Sequence, residues 1–406
     1  MQQVLIGTIL SISAVFMVLT ILIVAHKAWR EARNGMHGRR RKELEPKVLT
    51  WAHSDEKTVR KALDGQPSPS DLIVLEQILL DHIQRVRGIE RERLATAMDQ
   101  LGLVEEYLKG LESGRWWRRA ESAEKLGLAA SKRAIQPLSR ALDDEMPEVR
   151  LRAAKALGQL GGKASARKLV RALNEPNRWS TIRVADILIG MGHEVIEAVI
   201  EAFPTLTREG QLAVLDIIGR IRPVSAGPWL IEKLYDRTTD VRARACHALG
   251  NIGDPNVAPE LIAALRDPEW PVRAMAAKAL GRVGAAEAIP QLTSSLRDQQ
   301  WWVRHNAARA LRAIGPAGLE ALERLVADGD TFAREQAILI LEEAGRMDER
   351  AGELVEAGSL RDAARSLLEK IVAGGTTGRL RVLAREHPVE EVRRELLAML
   401  PEEVSS

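Results

Sequence analysis

One pattern recurs through the middle of the chain about every 31 residues, and this repetition constrains the fold more than any other feature. Each copy begins with valine and arginine, continues with alanines, and closes with leucine and glycine, except that the copy from Val303 has Arg312 at the glycine position. The clear copies begin at Val149, Val241, Val272 and Val303. The closing glycine recurs at Gly127, Gly158, Gly190, Gly219, Gly250 and Gly281. A chain with such a period folds as an array in which each unit stacks on its neighbours.

Each unit of the array predicts two helices. In the copy that begins at Val272, the residues Val272, Ala276 and Leu280 recur at helical spacing. Glycines then end this helix, and a second apolar stretch around Leu292 follows. Neither helix can bury its apolar stripe alone, so neighbouring units must pack together. Aromatic residues make up only 3% of the chain, which disfavours a large β-sandwich. We therefore expect an all-α fold, an α-solenoid of about seven helix pairs over residues 114–345.

This valine-arginine and alanine-leucine-glycine repeat resembles the short bacterial HEAT-like repeat, the subtype first recognised in phycobiliprotein lyases. The resemblance covers the predicted array and is specific for the fold. It implies a stack of helix pairs whose terminal units differ from the central ones. It implies little about activity, because solenoids are reused for many functions.

The N-terminal segment predicts a membrane anchor. Val4 to Ala25 is an uninterrupted uncharged run of 22 residues. A helix rises about 1.5 Å per residue, so this run would span a hydrocarbon core of about 30 Å. Basic residues follow the run, which by the positive-inside rule places the rest of the chain in the cytoplasm. We therefore expect one transmembrane helix over 4–25, which makes the protein single-pass in the inner membrane with its N-terminus outside.

A basic juxtamembrane segment over 26–42 follows this run. It holds seven basic side chains and one acid, a net charge of +6, whereas the whole chain has a net charge of +3. The remaining residues are therefore mildly acidic at −3, which argues against a nucleic-acid groove. The residues expected at the membrane surface, on anionic headgroups, are Lys27, Trp29, Arg30, Arg33, Arg39, Arg40, Arg41 and Lys42.

The segments that flank the array also have helical patterns but do not repeat. Residues 43–113 contain the turn and cap Pro67 to Ser70 before a long apolar stretch, which predicts a helical N-terminal cap. Residues 346–406 predict further short helices, with a break at the glycine-rich loop 374–378. We expect this second segment to form a helical C-terminal cap.

An intermittent row of tryptophans marks the start of the first helix in each unit. Trp116, Trp179, Trp270 and Trp301 lie eleven positions before the closing glycine or its equivalent, and Trp117 and Trp302 double two of them. One interpretation, which we favour from the pattern, is that they staple consecutive units together. The other is a recognition surface, since tryptophan is enriched at binding hot spots. The doubled Trp301-Trp302 favours recognition, because adjacent helical residues point about 100° apart.

Arginine and aspartate recur together in the same register. The arginines lie eight positions before the closing glycine or its equivalent, at Arg119, Arg150, Arg242, Arg273 and Arg304. The aspartates lie fourteen positions before it, at Asp144, Asp236, Asp267 and Asp298. Their joint recurrence favours an Arg/Asp ladder along the stack. The alternative is a row of arginines that grips acidic groups of a partner, with Arg273 and Arg304 as candidates.

Motifs for catalysis are missing from the sequence. The eight histidines are scattered, with no His-Glu-x-x-His motif and no close pair for a metal. The run 374–379, GGTTGR, lacks the lysine of a phosphate-binding loop. The single cysteine, Cys246, lies among alanines of a repeat helix, which is typical of a buried structural residue. We therefore expect no enzyme, no catalytic residues, no metal and no cofactor.

Together these patterns predict a membrane-anchored cytoplasmic scaffold or adaptor that binds a protein partner through its solenoid. Two alternatives come from other classes. One is a lyase-like protein that handles a bilin-type prosthetic group, as the relatives of these repeats imply. The other is an accessory subunit of a membrane glycosyltransferase or signalling system. Assembly into homo-oligomers through the spanning helix is a further possibility, and no nucleic-acid partner is expected.

Overall fold

The computed structural model describes residues 2–54, 56–174 and 180–401. Within the first helix, side chains are described at 16–17, at 19–27 and from residue 35 onward. Every regular element in the described ranges is a helix, so the chain is an all-α helical-repeat solenoid. The contacts divide the chain into two compact units, Met1–Leu169 (unit 1) and Val170–Ser406 (unit 2).

The first part of the chain forms nine α-helices. They are α1 (Gln2–Ala52), α2 (Val59–Ala62), α3 (Pro69–Ile83), α4 (Ile89–Gln100), α5 (Leu103–Gly110), α6 (Trp116–Leu128), α7 (Ile135–Ala141), α8 (Pro147–Leu160) and α9 (Gly162–Arg171). The capping residues of α3 are those indicated by the sequence. The Ser68 hydroxyl accepts a hydrogen bond from the Asp71 amide, Asp71 accepts one from the Ser68 amide, and Pro69 occupies the first helical position.

The end of the basic segment is packed against α3. Arg40 Nε donates to Asp71 Oδ1 across 2.6 Å, and Arg41 Nη1 donates to Asp81 Oδ2 across 2.8 Å. The hydrogen bond from Arg40 lowers the pKa of Asp71 to about 2. One turn further on, Leu44 is buried, as are Val48 and Trp51. These contacts hold the C-terminal part of α1 in unit 1.

The structure describes three of the other side chains predicted for the membrane surface. Lys27, Arg39 and Lys42 are exposed. The side chains of Trp29, Arg30 and Arg33 lie outside the described residues. Contact of the segment with lipid headgroups therefore stays a prediction.

The predicted transmembrane helix is wrong. In the part of the chain that the structure describes, no helix is both long enough and apolar enough to cross a membrane. The single-pass location in the inner membrane, with the N-terminus outside and the solenoid in the cytoplasm, depended on this helix and is wrong with it.

Fifteen α-helices follow from residue 181 onward in unit 2. They are α10 (Thr181–Gly190), α11 (Ile196–Ala202), α12 (Arg208–Ile221), α13 (Gly227–Lys233), α14 (Thr239–Ile252), α15 (Ala258–Ala264), α16 (Trp270–Val283), α17 (Ile289–Ser295), α18 (Trp301–Ile314), α19 (Pro316–Leu325), α20 (Thr331–Glu343), α21 (Arg346–Gly352), α22 (Ser359–Ala373), α23 (Gly378–Glu386) and α24 (Glu390–Met399). Each repeat has a long first helix and a shorter second helix. The first helices α10, α12, α14, α16, α18 and α20 pack side by side in chain order.

Small residues set the separation of these first helices. A Cβ atom added to Gly250 would lie 2.6 Å from Ala279 Cα, and one added to Gly281 would lie 2.6 Å from Ala310 Cα. Such contacts are shorter than carbon atoms allow, so each closing glycine lets its helix approach the alanine of the next. At Gly250 and Gly281, the packing of helix on helix therefore requires the repeat glycine.

Candidate functional site

The site begins with the Arg/Asp ladder of unit 2, which lies where the first helices start. Arg242 Nε and Nη2 donate to the two carboxylate oxygens of Asp267 across 2.8 and 3.0 Å. Arg273 makes the same pair of bonds to Asp298, across 2.7 and 3.0 Å. Each arginine thus holds the aspartate of the following loop in a bidentate pair, which joins one repeat to the next.

The same arginines also bind the loop before their own helix. Arg273 Nη1 donates to the carbonyl oxygens of Asp267 and Pro268, both across 2.9 Å. Each aspartate in turn accepts a hydrogen bond from the amide two residues on, as Asp298 does from Gln300 across 2.9 Å. Backbone and side-chain bonds therefore fix the guanidinium in one orientation, with its Nε and Nη2 directed toward the next loop.

Asp298 lies in a partly buried part of the ladder. Burial acts to raise the pKa of its carboxyl, but the hydrogen bonds from Arg273 and from the Gln300 amide outweigh this effect. The pKa of Asp298 is therefore lowered, and its charge is kept at neutral pH.

Arg304 breaks the ladder. Its Nη1 donates to the carbonyl oxygens of Asp298 and Gln299, across 2.8 and 3.1 Å, as in the preceding repeat. Its side chain is buried, with the residue only 7% exposed. Among the described residues, however, no acceptor lies within hydrogen-bond distance of its Nε, and no carboxylate pairs with its guanidinium. The Phe332 ring lies over the guanidinium instead, with 4.5 Å from Cζ to the ring centroid.

The tryptophans of the row are on the surface. Trp116, Trp117, Trp270, Trp301 and Trp302 are 39–55% exposed. Trp179 lies outside the described residues. Away from the row, Trp51 is buried and Trp229 is half-buried, with its ring edge-on to Phe203 at 5.1 Å. A staple between consecutive units would bury its side chain. Exposure of this size does not match that interpretation, although the binding role of these residues stays a prediction.

An aromatic cluster lies at the start of α18. The rings of Trp301 and Trp302 meet edge to face, 4.7 Å between centroids. His305 lies one turn further on and stacks on Trp301, 4.6 Å between centroids with 16° between the ring planes. Burial and the nearby Arg309 lower the pKa of His305, while Glu343 acts to raise it. The imidazole is therefore neutral at pH 7.

Phe332 extends this surface and was missed from the sequence. It occupies the second position of α20, as Trp302 occupies the second position of α18, and it is 58% exposed. The missed signal was its spacing, because Phe332 lies 31 residues after Trp301, as Trp301 lies 31 residues after Trp270. We call the residues Trp270, Trp301, Trp302 and Phe332 the aromatic edge; they lie at the first or second position of three first helices that pack side by side.

Unit 1 has a smaller version of the same arrangement. Arg119 pairs with Asp144 in bidentate fashion, across 2.7 and 2.9 Å. Trp116 and Trp117 begin α6, and the Arg115 guanidinium lies 5.9 Å from the Trp117 ring centroid. The tryptophans and the ladder therefore occur together in both units.

The described residues hold no cluster of three or more histidine, cysteine or acidic side chains that could bind a metal. Cys246 is buried in α14, and burial raises the pKa of its thiol to about 12. Because the thiolate is the nucleophilic form, this thiol is inert at neutral pH.

Comparison with known proteins bears on the fold. The family model for HEAT repeats matches residues 104–188, 196–269, 227–312 and 258–342, which together make up more than half of the chain. No curated protein matches the chain significantly.

Several solved structures are similar to the chain at low identity. Human deoxyhypusine hydroxylase in complex with glycerol is 24% identical, over 69% of this chain and 100% of that one, with a TM-score of 0.27. The karyopherin Kap121p is 14% identical, over 88% of this chain and 50% of that one, with a TM-score of 0.44. The complex of CpcE and CpcF of phycocyanin lyase from Nostoc sp. PCC7120 is 20% identical, over 59% and 94%, with a TM-score of 0.28. At these TM-scores the likenesses carry no argument about function.

Proposed function

The chain belongs to the HEAT-repeat family, and from this premise we propose that it is a non-enzymatic scaffold that binds a protein partner through the aromatic edge of unit 2. The observation that carries the proposal is the exposure of four large aromatic side chains at the first or second position of three neighbouring helices. Folding leaves these rings in water, although Ala276 and Leu280 of α16 and Leu311 of α18 are fully buried.

The size of the aromatic edge supports binding of a protein. At the exposures given above, each ring leaves about 100 Å² in contact with water. Four rings together make about 400 Å² of apolar surface, which is in the range of functional patches on soluble proteins. The surface is also rigid, because Trp270 and Trp301 are the first residues of 14-residue helices fixed by the ladder. Rigid aromatic anchors lose little conformational entropy when they bind.

The chemistry of the aromatic edge suits protein recognition better than catalysis. Tryptophan and arginine are the residues most enriched at interface hot spots. The neighbouring imidazole of His305 is stacked on Trp301, and its buried Nδ1 has no hydrogen-bond partner among the described residues that would orient it as a general base.

The experiment that tests the proposal is affinity purification of the full-length chain after crosslinking in living cells, with mass spectrometry of the bound proteins. A Trp270→Ala/Trp301→Ala/Trp302→Ala variant is run beside it. The matched control is Tyr235→Ala, which removes an exposed aromatic residue of unit 2 that lies off the aromatic edge. We expect one partner in stoichiometric amount with wild type and the control, and its loss with the triple variant. Equal recovery with the triple variant would contradict the proposal.

The alternatives stay predictions. Handling of a bilin-type group would be detected by absorbance after incubation with tetrapyrroles. A role beside a glycosyltransferase or signalling protein would appear as the identity of the partner, and self-association would appear in light scattering.

A further inference from the structure

The end of the Arg/Asp ladder leaves one buried guanidinium without a carboxylate. Arg273 and Arg304 occupy the same position in consecutive repeats and donate Nη1 to the same two carbonyl positions of the preceding loop. Their guanidinium groups therefore have the same orientation. The Nε and Nη2 of Arg273 bind Asp298, whereas the Nε of Arg304 is buried and donates to no acceptor among the described residues.

The two aspartates of the loop that follows Arg304 are engaged elsewhere. Asp328 accepts the amide of Asp330 across 2.9 Å, which is the turn that Asp298 forms with Gln300. Its carboxylate is paired with Arg297. Asp330 caps α20 by accepting the Ala333 amide, also across 2.9 Å. Neither Asp328 nor Asp330 therefore pairs with Arg304.

Leaving Arg304 unpaired is costly. Two carbonyl oxygens and the Phe332 ring replace only part of the hydration that the buried guanidinium of Arg304 loses, because no described carboxylate is paired with it. A buried N–H donor with no acceptor costs further free energy. Carboxylates bind the Nε and Nη2 of arginine in bidentate geometry, as Asp267 and Asp298 show in the two preceding repeats.

The cover over this position is a surface side chain. Phe332 lies on the Arg304 guanidinium, yet more than half of the residue is exposed. Rotation of this one ring would open the guanidinium without disturbing the helix backbone. Trp302 and Phe332 hold the second positions of two adjacent helices, α18 and α20. A segment that reached Arg304 would therefore lie against apolar rings.

We propose that Arg304 receives an aspartate side chain from the bound protein partner, in the place that Asp298 takes against Arg273. The partner segment presents this aspartate next to an apolar side chain, which packs on Trp302 or Phe332. The Phe332 ring moves aside when the segment binds. This inference rests on the function proposed above, because it places the partner at the aromatic edge and names the chemistry by which the partner is recognised.

The test uses peptides on the intact protein. A phage library of random 12-residue peptides is selected on the immobilised full-length chain, and the enriched sequences are synthesised for affinity measurements by fluorescence polarisation. We expect enriched peptides to share an aspartate beside an aromatic or aliphatic residue. Replacing that aspartate by asparagine in the peptide should weaken binding to the wild-type chain at least tenfold, which is about 1.4 kcal/mol.

Protein variants separate this inference from the proposed function. Arg304→Lys keeps the positive charge but removes the two parallel N–H donors of the guanidinium. It should therefore weaken binding of the peptides about tenfold, as the change of aspartate to asparagine does. Arg309→Gln removes a positive charge from the exposed face of the same helix and should leave affinity within twofold. Because the Asp-to-Asn comparison is made on the wild-type chain, the result does not depend on the stability of Arg304→Lys.

The outcomes differ for the two claims. If the peptides depend on Trp301 and Trp302 but tolerate asparagine or Arg304→Lys within twofold, the carboxylate site is wrong and the aromatic edge stands. If the peptides ignore the tryptophans, or if no peptide is enriched, both claims are contradicted.

Discussion

The Arg273 guanidinium binds two loops at once: its Nη1 donates to the carbonyl oxygen of Asp267, and its Nε donates to the carboxylate of Asp298. Asp298 lies 31 residues after Asp267 along the chain. One side chain thereby ties the start of its own helix to the start of the next. The repeat period of the sequence is also the separation along the chain of the two aspartates that Arg273 binds. The tryptophans at the starts of the first helices recur with the same period.

Replacing Arg273 by glutamine should destabilise unit 2. The change leaves the Asp298 carboxylate partly buried without its partner, which costs about 2–4 kcal/mol. Urea denaturation followed by circular dichroism measures the loss. Arg309→Gln is the control, because its ion pair with Glu343 is long, at 3.9 Å, and exposed. Its loss should cost less than about 1 kcal/mol. Equal effects of the two changes would contradict the structural role of the ladder.

The closing glycines should differ in their tolerance of alanine. Gly281→Ala places a Cβ 2.6 Å from Ala310 Cα and should cost about 1–3 kcal/mol. Gly190 has the same register in the sequence, but a Cβ there meets no atom within 4 Å. Gly190→Ala should leave stability unchanged or raise it by up to about 1 kcal/mol. Thermal unfolding of both variants checks this contrast, and an equal loss in both would refute the close-approach argument.

Acid should weaken unit 1 through Asp71. Its pKa is lowered from 3.8 to about 2, chiefly by the hydrogen bond from Arg40. A carboxyl with a lowered folded-state pKa contributes stability above its unfolded pKa, and this contribution is lost as the pH falls from about 4 to about 2. Asp71→Asn should therefore show a shallower loss of stability over this range. Melting temperatures between pH 5 and pH 2 measure the difference; identical slopes would contradict the assignment.

Protonation of His305 should quench the fluorescence of the aromatic edge. Because burial and Arg309 lower the pKa of His305, the ring becomes charged only at a pH below the usual range for histidine. The imidazolium would then lie face to face with Trp301. Fluorescence should fall on acidification from pH 7 to pH 5 in wild type and stay level in His305→Gln. A similar fall in the variant would show that another group is responsible.

Much of the fold follows from the spacing of residues. The apolar positions after Val272 predicted the helix pair that the structure shows as α16 and α17. The joint recurrence of Arg273 and Asp298 indicated their pairing, because two opposite charges that keep a constant separation in several repeats occupy equivalent positions in space.

Other features could not be predicted from spacing. Asp328 forms the turn typical of its repeat, but its carboxylate pairs with Arg297 and leaves Arg304 without a carboxylate. Which of the two arginines pairs with Asp328 depends on three-dimensional geometry, which spacing in the sequence does not show. The stacking of His305 on Trp301 depends on side-chain rotamers. The membrane prediction is wrong for another reason: an uncharged run of sequence predicts a span, but no described helix meets the length and apolarity that a span requires.

A photo-crosslinking amino acid at position 302 of the full-length chain tests whether a protein partner binds at the aromatic edge. The same amino acid at position 235, another exposed aromatic site of unit 2, is the control. After irradiation of living cells, we expect one discrete crosslinked protein from position 302 and none from position 235. Crosslinking from position 235 alone, or the same products from both positions, would contradict it.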